Sequence, residues 1–255
     1  MRQCLKSTYY KNTMTRNYLI ILFLSLSIPL FAQKFEKAKN GKSFDCVILI
    51  HGFLRSSKQL KNMGDYLTDN NLLVFYVDYP SRSNTIQEVS KSYLSPIVQN
   101  NCISKFNKIH FVTHSAGGIV LRHFLKENKI KRLGRVVMLA PPNKGSEIAD
   151  FLSGYNFVNT LLGPILMQLK TDNSSFVNNI GTPNFELGII MGDSSNDPIS
   201  SMIIPGDDDG KVSIENSKLN SMKEFLLVDR THTFIMDGVE VQKATLQFIK
   251  TGTFK

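Results

Sequence analysis

The chain has 255 residues, 42% hydrophobic and 20% charged, which suits one globular domain with a sizeable core, and it holds no internal repeat or low-complexity tract. Its formal charge of +9 includes Arg2, Lys6, Lys11 and Arg16 from the first 32 residues, which carry no acid. The remaining excess of about +5 is spread without a basic run and argues against a nucleic-acid partner.

Tyr18 to Ala32 is almost wholly apolar, too short for a comfortable membrane span, and interrupted by Pro29. This predicts a signal peptide over residues 1–32, with Arg16 in its positive region, Ala32 as the last residue before cleavage and Met14 as an alternative start. The expectation is export, periplasmic or secreted; the competing reading is a retained N-terminal membrane anchor. No cysteine follows the apolar run, so a lipoprotein anchor is not expected. Cleavage would leave Cys46 and Cys102, each ahead of a predicted core strand, either bridged or as two buried free thiols.

Residues 33–255 read as one domain. After the polar stretch from Lys34 to Phe44, Asp45 to Ile50 is a continuous apolar run ended at His51-Gly52-Phe53, as in a strand buried on both faces. Ser56 to Asn70 follows at helical spacing through Leu60, Met63 and Leu67. Leu72 to Tyr79 is a second buried strand, broken by Pro80, and Thr85 to Gln99 a helix with Thr85 and Glu88 as a capping box. Ile109 to Thr113 is a strand that stops at Ser115, and Gly117 to Glu127 a helix. Arg135 to Ala140 is a fourth strand, stopped by Pro141-Pro142, with a short helix at Ser146–Leu152. Tyr155 to Leu169 is apolar but weakly patterned; Phe185 to Met191 and Glu224 to Asp229 are strands; Gly192 to Ser201 is loop-like; Asp237 to Lys250 is a closing helix. Alternation of buried strands with helices predicts an α/β fold whose parallel sheet has helices on both faces, with ligands at the carboxyl ends of the strands.

Those ends carry the chemistry. The strand–turn–helix around Thr113-His114-Ser115-Ala116-Gly117 is the setting of a nucleophile elbow, although Thr113 stands where Gly-x-Ser-x-Gly has its first glycine. A serine hydroxyl needs a base, and the base needs an acid to orient it. Of the five histidines, His232 sits in a loop after the last strand, where a base would reach over Ser115. His51 and His114 lie on the wrong loops, His110 is inside a strand, and His123 is on a helix surface. Asp209, beside Gly210, is the candidate acid; Asp193 is its main rival, with Asp197, Asp207 and Asp208 as further options. The aspartate cluster does not make an EF-hand, since Lys211 falls at a ligand position and Gly210 is misplaced. Backbone N–H groups of Phe53 and Ala116 would form an oxyanion hole. No cofactor motif or metal set is evident.

Together these residues resemble the α/β-hydrolase superfamily, specifically small bacterial lipases and esterases. The resemblance runs from about Val47 to Phe254, through His51-Gly52-Phe53-Leu54-Arg55, Asp78-Tyr79-Pro80-Ser81-Arg82, Thr113-His114-Ser115-Ala116-Gly117-Gly118, Ala140-Pro141-Pro142-Asn143-Lys144-Gly145, Asp209-Gly210-Lys211-Val212 and Thr231-His232-Thr233-Phe234. It implies a serine carboxylester hydrolase with a Ser115–Asp209–His232 triad and no cofactor. It also implies a reduced, mostly parallel sheet of about six strands, because the family's first two strands have no counterpart here. Residues 150–183 would be a cap or lid, or a helix packed into the core, and Leu54, Phe157, Leu161, Leu162 and Ile165 are candidate pocket residues. The substrate would be a small-molecule or lipid ester, with transient membrane-surface contact. The alternatives are an acyltransferase or amide hydrolase using the same triad, and a non-enzymatic envelope protein with a relic triad; acyl length, alcohol moiety and oligomeric state stay open.

Overall fold

A strand buried on both faces has no use for polar alternation, and the strands of the computed structural model follow that rule except the edge strand Glu224–Val228, which is only partly buried. The structure describes residues 45–102 and 106–255, so the expected signal peptide and the polar stretch to Phe44 lie outside the described residues. The strands are β1 (Asp45–Ile50), β2 (Leu73–Val77), β3 (Lys108–His114), β4 (Leu133–Leu139), β5 (Leu187–Gly192) and β6 (Glu224–Val228). All neighbours pair in parallel, in the spatial order β2-β1-β3-β4-β5-β6. This is the α/β-hydrolase arrangement in the reduced, six-stranded form.

The two faces of the sheet carry separate cores, because successive side chains of a strand point to opposite sides. From β1, Ile48 and Ile50 pack on one face with Phe111, Ile119, Phe124 and Met138. Val47 and Leu49 pack on the other with Met63, Leu67, Val112 and Phe248. The second face is covered by α1 (Lys61–Asp69) and the closing helix Val239–Thr251. The first is covered by α4 (Ala116–Glu127) and by a helical run that starts as α2 (Ile86–Val89). That run continues through a π-helical turn at Ser90–Leu94 into α3 (Ser95–Ile97) and a second at Val98–Cys102. Cys46 and Cys102 are both free thiols, fully buried in the same core cluster.

The chain moves from β1 outward to β2 and then back across to β3, so strand order reverses between β1 and β3. Such a switch point opens a crevice at the carboxyl ends of the strands. His51-Gly52-Phe53 and Ser115 are the two segments that border it.

Three segments differ from the periodicity reading. Residues 198–201, expected as part of a loop, open the short helix α8 (Pro198–Ile203), because Asp197 caps it by accepting the Ser200 N–H and Pro198 fills the first turn. The weakly patterned stretch after α5 (Glu147–Ser153) is two helices, α6 (Asn156–Leu162) and α7 (Pro164–Gln168). They break at Gly163, which has φ 83° and no room for a Cβ, since one would fall 1.7 Å from the Arg82 carbonyl oxygen. His123 is half-buried rather than on the surface, its ring edge-on to Phe176 at 5.4 Å.

The capping box is present. Thr85 Oγ1 accepts the Glu88 N–H at 3.2 Å and the Glu88 carboxylate accepts the Thr85 N–H at 2.7 Å. Thr85→Ala removes one half of it and is expected to lower stability by about 1 kcal/mol. Urea unfolding reads this as a lower midpoint at unchanged slope.

Candidate active site

Ser115 joins β3 to α4 at φ 53° and ψ −128°, a backbone conformation costly for any residue but glycine. Its own N–H donates to Leu139 O at 2.9 Å and its carbonyl accepts from Gly118 N–H at 2.9 Å. The turn is held by close backbone contact on the β1 side. A Cβ on Gly52 would lie 2.8 Å from Ser115 Cβ, and one on Gly117 would lie 2.5 Å from Ile50 O and 2.6 Å from His51 O. Thr113 is tolerated two residues earlier because Gly118 leaves space: a Cβ there would sit 3.2 Å from Thr113 Oγ1. Thr113 itself is fully buried and its hydroxyl has no partner.

His232 follows β6 and is largely buried. Its Nε2 lies 3.0 Å from Ser115 Oγ and its Nδ1 2.7 Å from Asp209 Oδ2. An ionised carboxylate only accepts, so Nδ1 carries the proton and Nε2 is free to accept from the serine hydroxyl. Asp209 is buried beneath this pair. Its Oδ1 is occupied by the N–H groups of Lys211 and Val212, both at 3.0 Å, and its own carbonyl accepts the His232 N–H at 2.8 Å. Gly210, at φ 94°, makes this turn.

The rival aspartates are engaged elsewhere. Asp193 is exposed after β5. Asp208 Oδ1 accepts from Gly210 N–H and Ser201 Oγ. Asp197 caps α8 and pairs with Lys211 at 2.8 Å, and Asp207 is exposed. Among the described residues no group of three or more His, Cys, Asp or Glu is placed to hold a metal ion.

His114 and His51 support the site rather than enter it. His114 donates from Nε2 to the His232 carbonyl at 2.9 Å, and its ring lies 4.9 Å from that of His232. Burial, and then the neighbouring His232 charge, push its pKa well below the usual histidine range. His51 stacks on Tyr79 at 4.1 Å; its Nε2 accepts the Tyr79 N–H and its carbonyl accepts the Tyr79 hydroxyl at 2.7 Å.

The loop after β1 is braced from the segment after β2. Leu54, at φ 54°, donates its N–H to the buried Ser81 Oγ at 2.9 Å. Ser57 donates its N–H and hydroxyl to the Asp78 carboxylate at 3.0 and 3.1 Å. Phe53, half-buried, immediately precedes these anchors, and Ala116 opens α4, where backbone N–H groups lack an intrahelical acceptor. Sequence reasoning assigned no role to Asp78, Tyr79 or Ser81. Their spacing carries no periodic signal, and only the parallel pairing of β1 with β2 brings them to this loop.

The candidate pocket residues separate. Ile165, expected to face substrate, is fully buried in the core with Leu166, because α7 restarts the chain toward the sheet after Gly163; Leu162 is half-buried against the same cluster. Leu54, Phe157 and Leu161 are exposed. Leu54 is on the segment after β1; Phe157 and Leu161, with Phe151 and Tyr155, whose rings meet edge-on at 5.8 Å, and with Ile199 and Met202 on α8, form an apolar fringe on segments that leave β4 and β5 at their carboxyl ends.

Residues 40–185 match a protein family described as "Putative serine esterase (DUF676)", a span that includes Phe53, Ser115 and Ala116 and ends before Asp209 and His232. The fold is similar to that of mature Bacillus licheniformis lipase BlEst2, at 18% identity, 82% of this chain, 91% of that chain and TM-score 0.60. It is similar to Staphylococcus hyicus lipase at 10% identity, 79% and 91% coverage and TM-score 0.61. It is also similar to Est1E of Butyrivibrio proteoclasticus, a structure with ferulic acid bound, at 15% identity, 86% and 95% coverage and TM-score 0.56. A comparison with curated proteins gave no match.

Thr113→Val keeps the side-chain shape and removes the unpaired hydroxyl. It is expected to raise stability by about 1 kcal/mol, measured by urea unfolding. His114 makes stability pH-dependent. Its pKa lies below 6.5 only in the folded chain, so below 6.5 the unfolded chain binds the extra proton. Stability is therefore complete above that pH and falls below it, by about 1.4 kcal/mol per unit until the folded-state pKa is reached. Urea midpoints between about pH 5 and pH 7.5 should show this slope, flattened in His114→Gln.

Proposed function

The chain belongs to the DUF676 family of serine esterases, and we propose that it hydrolyses carboxylic esters with Ser115, His232 and Asp209 as a catalytic triad. The observation that carries the reading is the continuous chain Ser115 Oγ, His232, Asp209, with contacts of 3.0 and 2.7 Å and a tautomer dictated by the buried carboxylate.

Ser115 Oγ attacks the acyl carbon while His232 Nε2 takes its proton. The charge on the carbonyl oxygen meets the N–H groups of Phe53 and Ala116, which need no reorganisation in a braced loop and at a helix start. The tetrahedral intermediate expels the alkoxide, which leaves as alcohol with the proton from Nε2. Water then attacks the acyl-enzyme, gives its proton to Nε2, and the free acid departs as Ser115 regains its hydrogen. Asp209 keeps Nδ1 protonated and stabilises the imidazolium formed in each half.

The exposed apolar side chains of α5, α6 and α8 favour a lipid or short acyl ester, with α5 and α6, rather than the whole of residues 150–183, as a cap that touches a membrane surface transiently, since Ile165, Leu166, Val177 and Ile180 are buried in the core. The reading includes export after removal of residues 1–32, which sequencing the N-terminus of the mature protein tests.

The central test is a series of p-nitrophenyl esters of increasing chain length, with a fluorophosphonate probe for Ser115. Ser115→Ala is expected to lose the label and at least about 10³ of kcat. Asp209→Asn is expected to lose on the order of 10⁴ of kcat through the wrong tautomer, and Asp193→Asn to retain full activity. No turnover by the wild type, or equal turnover by Ser115→Ala, overturns the proposal.

A further inference from the structure

Proton transfer decides which way an ester lies in this site. The acyl oxygen faces Phe53 and Ala116, whereas the departing alkoxide takes its proton from His232 Nε2. The alcohol portion therefore leaves on the His232 side. There, between the segment after Phe53 and the segment after His232, runs an open groove of about 630 Å³. It is lined by Leu54, Arg55, Lys58, Gln59, Thr233 and Phe234. Leu54 and Thr233, which line it, directly follow Phe53 and His232 in the chain, so the groove begins beside the proposed machinery.

The groove walls are fixed to each other. Gln59 Nε2 donates to Thr233 O at 3.2 Å, and Asn62 Nδ2 donates to Asp237 Oδ1 at 2.8 Å, which engages the one carboxylate of the groove. Arg55 and Lys58 are exposed, and neither pairs with a carboxylate among the described residues. Among the described residues Arg55 makes one long hydrogen bond, from Nη2 to Thr233 Oγ1 at 3.4 Å. Two cations thus stand on the alcohol side. The exposed residues Phe151, Tyr155, Phe157 and Leu161 of the α5–α6 segment are uncharged, and Arg82, the cation that reaches α6, spends its Nε and Nη2 on the Leu161 carbonyl at 3.0 and 2.6 Å.

From this division we infer that the groove is an anion subsite for the alcohol portion, and that the preferred substrate is an ester whose alcohol bears a phosphate or carboxylate group. The inference rests on the ester-hydrolase reading of Ser115. Arg55 supplies a planar pair of donors for such an anion and Lys58 a second, compact charge. Both are solvent-exposed, so the selectivity is a matter of rate and ionic strength more than of tight binding.

The test uses four butyrate esters that differ only in the alcohol: glycerol, glycerol 3-phosphate, glycolate and choline. Butyrate release is followed by alkali titration at low and high salt. The wild type is expected to favour the phosphate or glycolate ester over the glycerol ester by at least about fivefold in kcat/KM, one exposed ion pair's worth, and to disfavour the choline ester. High salt should compress the series. The phosphate and glycolate arms identify the anion. Arg55→Glu with Lys58→Glu should reverse the order toward choline, and Arg55→Gln with Lys58→Gln should level it, with circular dichroism reporting the fold of both variants. A wild type that labels with fluorophosphonate at Ser115 yet cleaves anionic and neutral esters equally, or leaves the anionic ones uncleaved, overturns the subsite alone. So does retention of the anionic preference in the double glutamate variant. Absence of Ser115 labelling overturns the hydrolase reading and the subsite with it.

Discussion

The left-handed turn at Ser115 is the constraint on which the site depends. A serine held at φ 53° gives up favourable backbone energy, and it persists because its surroundings leave no alternative. Gly52 and Gly117 let the ends of β1 and β3 approach until a single methyl group on either would collide with neighbouring atoms. The same closeness puts the segment after β1 beside the start of α4, which is what an oxyanion-binding pair requires. Strain at one residue and two missing side chains are thus a single arrangement.

Around that turn the support is supplied from far away in sequence. Asp209 is locked by the N–H groups of its own turn and in turn locks the His232 backbone and ring. His114, immediately before the strained serine, holds the His232 carbonyl from below. Asp78, Tyr79 and Ser81 brace the loop from His51 to Ser57. Each of these contacts joins the carboxyl ends of different strands, so the parallel sheet and its order are what make them meet. Position matters more than composition: five aspartates lie between residues 193 and 209, and the one buried under His232 is set apart by its turn.

In the proposed reading, the groove and the apolar fringe divide the mouth of the site by charge. One side carries uncharged aromatic and aliphatic residues on helices that leave β4 and β5. The other carries Arg55 and Lys58 along the start of α1's approach. A substrate with one apolar and one charged end would be oriented by that division before any bond is broken, which shortens the search for a reactive geometry.

Much of this was legible in the amino-acid order. Continuous apolar runs ending at His51, Ser115 and Ala140 identified buried parallel strands, since only a sheet covered on both faces buries every residue of a run. The order Ser115, Asp209, His232, each beyond a strand end, singled out these residues as candidates because strand ends are where such sheets hold ligands. Helix caps such as Thr85 were readable for the same reason: their chemistry is local. What the sequence could not supply depends on contacts between distant segments. Whether Ile165 faces a pocket or the core turns on the break at Gly163 against Arg82. Which aspartate reaches His232 turns on the fold of the 207–212 turn. Why Thr113 replaces a glycine turns on the space left by Gly118. Pattern and propensity act over a few residues, whereas packing at van der Waals distance is decided only when the strands have come together.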